Sequence, residues 1–130
     1  MSKAEHIRYW MNSAQKDEET MRYLLDGGKY VHALFFGHLY LEKILKAHWI
    51  MFHEAHYPPK IHNLLSLLKL TDITLAEEHL LFLLKLNQYQ IEGRYPEDIE
   101  KLYRITDFTL TNDYIRTINI IAKCLQEKLP

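Results

Sequence analysis

Ile7, Trp10, Ala14, Met21 and Leu24 recur at the spacing of one helix face, and Ser2 followed three residues later by Glu5 forms the pattern of a capping box. The spacing predicts a first helix from about Lys3 to Leu25, stopped by Gly27 and Gly28. From Tyr30 to about Ala55 apolar residues point in nearly every direction around a second helical axis. Leu34, Leu41 and Leu45 mark one stripe, while Phe35, Leu39, Trp49 and Phe52 lie off it. One bundle core does not absorb both sets, so a second buried surface, and with it a homodimer, is expected.

Pro58 and Pro59 are expected to end this helix, because neither donates an amide hydrogen and each constrains the residue before it. Ile61 to about Leu70 reads as a short helical piece. Thr74 with Glu77 forms a second capping-box pattern ahead of Leu80, Leu83, Leu84 and Ile91, and Pro96 is expected to close that helix. Glu97 to Thr111 reads as loop with a helical turn around Ile99 to Tyr103. Asn112 or Thr111 then caps a last helix whose Ile115, Ile118, Ala122, Leu125 and Leu129 share a face. The expected fold is therefore all-α: an antiparallel up-and-down four-helix bundle with one additional short helix, as a single domain over residues 1–130.

Composition agrees with this pattern. Hydrophobic residues make up 48% and charged residues 25% of 130 residues, with only 4 Gly and 4 Pro, which excludes disorder and disfavours a turn-rich β fold. Sixteen basic against 17 acidic side chains leave a net charge of −1, so any anion site has to be local rather than a global basic field. A single cysteine, Cys124, excludes an intrachain disulfide and a multi-cysteine zinc site. The polar N-terminus lacks a secretory pattern, and Glu42, Lys43 and Lys46 interrupt the most apolar stretch. A cytoplasmic protein without a membrane span is expected.

Several polar residues fall where apolar ones belong. Asp17 lies between Ala14 and Met21 and needs a cation, for which Lys43 and Arg94 are the candidates. Glu42 and Lys46, four apart in the favourable order, read as solvated support for the helix. His48, His53 and His56 read as surface imidazoles rather than metal ligands, and no histidine follows a Glu at the three-residue interval of di-iron bundles. No phosphate loop, nucleophile elbow or zinc-protease motif is present. Asn87 and Arg94, seven apart, continue the stripe of Leu80 and Leu83, which places an amide and a guanidinium together in a manner suited to anions. The structural alternative is that Arg94 satisfies carbonyls at the helix end or pairs with Asp17, with Tyr95 packed over the connection.

Taken in order, Trp10 with Ala14-x-x-Asp17, Gly28-Lys-Tyr30, the run from Ala33 to Ala47, His62-Asn-Leu-Leu and Arg94-Tyr95-Pro96 make a chain that resembles the HEPN domain family. That resemblance implies a bundle of four to five helices, commonly dimeric, often encoded beside a minimal nucleotidyltransferase in toxin–antitoxin pairs, and binding nucleotides. Some members are ribonucleases that use an Arg followed after four to six intervening residues by a His. Here Arg94 meets Ile99, Glu100 and Lys101 at the eligible positions, and Arg8, Arg22, Arg104 and Arg116 likewise meet no His. The preferred expectation is a non-catalytic module that requires no cofactor, forms a homodimer and binds a nucleotide or a nucleotidyltransferase. Asn87, Arg94 and Tyr95 border its ligand site, with Asp17 and Lys43 tuning it. The competing expectation is a ribonuclease toxin acting on RNA, in which Arg94 stabilises phosphate charge and His62 or His38 is the base.

Overall fold

The computed structural model describes residues 1–129, and those residues form six α-helices and no strand. The helices are α1 (Lys3–Asp26), α2 (Tyr30–Phe52), α3 (Leu64–Lys69), α4 (Glu77–Leu86), α5 (Pro96–Ile105) and α6 (Phe108–Gln126), with a 3-10 turn at Asn87–Tyr89 after α4. The all-α expectation holds. No helix among the described residues is long and apolar enough to cross a membrane.

α2 is the hub. α1 packs along it, α6 lies against it, and α3, α5 and the 3-10 turn also touch it. Enclosure of this kind explains why its apolar residues point all round: 14 of its 23 residues are buried. Phe35, Leu39 and Trp49, which lie off the main stripe, are half-buried within the chain, and Phe52 is exposed. The apolar excess is thus largely absorbed by one chain's own helices. Where α1, α2 and α6 converge, Gly37 lets them approach: a Cβ there would sit 2.6 Å from Ile118 Cδ1 and 3.1 Å from Met21 Sδ.

Several boundaries differ from the periodic pattern, each for a local reason. The Ser2–Glu5 capping box forms as expected, with Ser2 Oγ accepting from the Glu5 amide at 3.1 Å. α2 stops at Phe52, ahead of the prolines, because His53 turns extended and its Nδ1–H donates to the Trp49 carbonyl at 2.8 Å. Thr74 caps nothing: α4 begins two residues after it would have to, with Ala76 at the N-cap. Pro96 opens a helix instead of closing one, since at the first helical position its missing N–H is no loss. The segment expected to be loop is therefore α5. Asp107, not Thr111 or Asn112, caps α6 by accepting from the Leu110 amide at 2.9 Å. Ile115, Ile118, Ala122 and Leu125 face the core as their spacing predicts.

Gly37→Leu is expected to force α6 away from α2 and lower stability by at least about 2 kcal/mol through overpacking, measured by urea denaturation.

Candidate functional site

Glu42 sits in the middle of α2 with its side chain 5% exposed, and three bases surround it. Lys46 Nζ donates to Oε2 at 3.0 Å from one turn along the helix, and His62 Nδ1 lies 3.1 Å from both carboxylate oxygens. His38 Nδ1 is 3.7 Å from Oε1. Lys46 in turn lies over the Trp10 ring of α1, 5.5 Å from its centroid. Glu42 and Lys46 therefore do not form a solvated pair. They share a face of α2 that α1 and the His62 segment cover, so the carboxylate is a buried charge held by a network.

A second set of bonds ties this network to the chain after α4. Asn87 Oδ1 accepts from the Leu64 amide at 3.0 Å and lies 3.2 Å from His38 Nε2, which donates to it. The Asn87 amide group donates to Asn63 Oδ1, which also caps α3 by accepting from the Ser66 amide, both at 3.2 Å. Asn87 and Arg94 do not share a helix face, since α4 ends at Leu86 and Gly93, at φ +74°, turns the chain back. They are brought together by that reversal. Arg94 Nε donates to the Gln90 carbonyl at 2.8 Å and Nη2 to the Asn87 carbonyl at 3.3 Å. A cleft of about 230 Å³ results, lined by His62, Asn63, Asn87, Gln90 and Arg94.

A family model, that of the HEPN domain, matches residues 7–127. The chain belongs to the HEPN family. The crystal structure of TT1696 from Thermus thermophilus has the same fold, with a TM-score of 0.78, 21% identity, and coverage of 95% of this chain and 98% of that one. No curated relative matches the chain in sequence.

Within this HEPN domain the five residues expected at the site divide into two groups. Asn87 and Arg94 line the cleft, and Tyr95 follows them, 74% exposed as a residue rather than packed over the connection. Asp17 and Lys43 belong elsewhere, on the seam between α1 and α2. Lys43 Nζ lies 2.7 Å from Asp17 Oδ2 and donates to Ser13 Oγ at 2.8 Å, so Lys43, and not Arg94, is the cation that Asp17 needs. Neither residue lines the cleft. His62, Asn63 and Gln90 do. Of these, His62 and Asn63 carried a signal in the sequence through the His62-Asn-Leu-Leu pattern, with Asn63 the N-cap of α3.

The histidines of α2 are not surface imidazoles throughout. His48 is fully buried, with Nε2–H donating to the Leu125 carbonyl of α6 at 2.7 Å, and His53 stacks on Trp49 with ring centroids 4.1 Å apart. No group of three or more candidate metal ligands occurs among the described residues. Burial pushes the His38 pKa below the usual imidazole value, against the opposing pull of the Glu42 carboxylate. Burial does the same to His48, opposed by its bond to Leu125 and reinforced by Lys128.

Two outcomes are expected. Lys43→Ala strands the Asp17 carboxylate and should cost about 2–3 kcal/mol in chemical denaturation, whereas Arg94→Ala, which removes only exposed contacts to carbonyls, should cost less than about 1 kcal/mol. Because burial disfavours protonation of His38 and His48 in the fold, the unfolded chain binds more protons once the pH falls below about 6.5. Stability should therefore drop as pH is lowered through that value toward the depressed native pKa values, by up to about 1.4 kcal/mol per pH unit for each imidazole. His48→Gln keeps a donor for Leu125 and should flatten the dependence of melting temperature on pH.

Proposed function

We propose that this HEPN domain binds the phosphate of a nucleotide in the cleft between His62 and Arg94, as a non-catalytic module. The observation that carries the reading is the hydrogen-bond inventory of the cleft. The side-chain carbonyl oxygens of all three amides are occupied: Asn63 Oδ1 by Ser66 and Asn87, Asn87 Oδ1 by Leu64 and His38, and Gln90 Oε1 by the Glu92 amide at 2.9 Å. What remains uncommitted on the amides and on Arg94 is donors. Asn63 Nδ2 is free and Arg94 has spent only Nε and one Nη2 hydrogen, while Gln90 Nε2 is unpartnered but sealed from solvent. The two carbonyl bonds hold the guanidinium in place and leave its end-on fork for two parallel bonds to phosphate. An open guanidinium fork beside a free amide donor suits a ligand that accepts.

The family assignment supports the remainder of the reading: a homodimer, a minimal nucleotidyltransferase as partner and a toxin–antitoxin setting. No cofactor is needed for it. One observation favours a second reading, cleavage of RNA. His62, held through Nδ1 by Glu42, shares the cleft with Arg94, which is the arrangement of an oriented imidazole beside a phosphate clamp.

Calorimetric titration with a panel of nucleotides should give saturable binding that Arg94→Lys weakens by about tenfold or more and Arg94→Ala abolishes, both variants melting as the parent does. Unchanged affinity in folded Arg94→Ala would remove the cleft from the function. Incubation with labelled RNA decides the second reading: cleavage that disappears in both His62→Ala and Arg94→Ala would replace binding by catalysis.

A further inference from the structure

We propose that the domain carries a second ligand site, separate from the Arg94 cleft, that takes a planar aromatic carboxylate. It is a cavity of about 670 Å³ bounded by the end of α1, the start of α2 and the end of α5, and it shares no residue with the cleft. That volume lies in the range of small-molecule pockets, roughly 300–1,000 Å³. Val31, 1% exposed, and the half-buried Leu24 and Phe36 supply an aliphatic and aromatic interior. Tyr30, His32 and Tyr103 add rings at its boundary, and these rings are braced: His32 lies 6.2 Å from Tyr103, and Tyr30 meets Phe108 edge-on at 6.1 Å. Aromatic surfaces of this kind favour offset or edge contacts with another flat ring over contacts with a flexible chain.

The polar groups of the cavity restrict the ligand further. Thr20 Oγ1 is spent on the Lys16 carbonyl at 2.9 Å, and Thr106 Oγ1 pairs with the Tyr89 hydroxyl at 2.7 Å. No Asp or Glu lines the cavity, and Lys29, at the turn into α2, is the residue there with a formal charge. An apolar cavity with one cation at its edge complements a single anionic group on an otherwise apolar ring, through a charge-assisted bond from Lys29. A dicarboxylate or polyphosphate would bring more negative charge than the single lysine of the lining offsets.

The probe is 1-naphthoate, followed by calorimetry and by chemical-shift changes in the full chain. One-to-one saturable binding is expected, weakened at least about tenfold by Lys29→Glu and abolished by Leu24→Trp, which fills the cavity. Arg94→Ala should bind the probe as the parent does, which keeps this site distinct from the nucleotide cleft. Neutral 1-naphthamide and flexible octanoate should both bind more weakly. If Leu24→Trp does not fold, Thr20→Trp on the half-buried rim replaces it. Absence of saturation up to millimolar naphthoate, or binding that survives the filled cavity, overturns the proposal. So does a filled-cavity variant that converts a dimer to a monomer while the parent takes up no probe, since a second copy would then be the occupant.

Discussion

Burying one carboxylate on the central helix is the constraint from which the site follows. Glu42 lies on the helix against which α1, α3, α5 and α6 pack and is itself buried, so its carboxylate has to be answered from within the fold. Lys46 answers it from the same helix, His62 from the loop before α3, and His38 stands beside it with its pKa lowered by burial. Each partner brings its own segment with it. Holding Glu42 therefore fixes where the His62 loop runs, and that loop is one wall of the cleft.

Asn87 performs the corresponding task on the other wall. It occupies the end of α4, yet its side chain reaches His38 on α2, the first amide of α3 and the cap residue Asn63. Its own carbonyl then receives Arg94 after the chain has reversed at Gly93. A single residue thus joins four segments, and the side-chain oxygens of Asn63 and Asn87 are consumed in doing so. The network is costly to leave half-satisfied, so it adds to the ordering that the buried Leu64, Leu67, Leu86 and Tyr89 give these segments.

The ion pair on the α1–α2 seam illustrates a different use of charge. Asp17 and Lys43, with Ser13, set the register of the two longest helices and stand apart from the cleft. Their distance from it in function follows from helix geometry: on α2, Lys43 and Glu42 are adjacent in sequence and hence point about a quarter-turn apart, one toward α1 and the other toward His62 and Asn87.

Local pattern determined a large part of this protein. The 3.6-residue period of apolar positions, the Ser2–Glu5 box and the all-round hydrophobicity of α2 are properties of short stretches, and the helices and the central place of α2 follow from them. The face of α6 is equally local. Pattern failed where two local signals compete, as at Pro96, which can end one helix or begin the next, and at Thr74, whose box-like spacing is not used. For the site, Asn87 and Arg94 were visible as a pair, but the helical phase that links them in sequence is not what joins them in space. Whether Glu42 is solvated or buried, which cation Asp17 meets, and that His62, Asn63 and Gln90 share a cleft with Arg94 were decided only by tertiary packing. The physical reason is that a side chain's periodicity reports which face of its own helix it occupies, whereas its burial and its partners depend on what other segments cover that face.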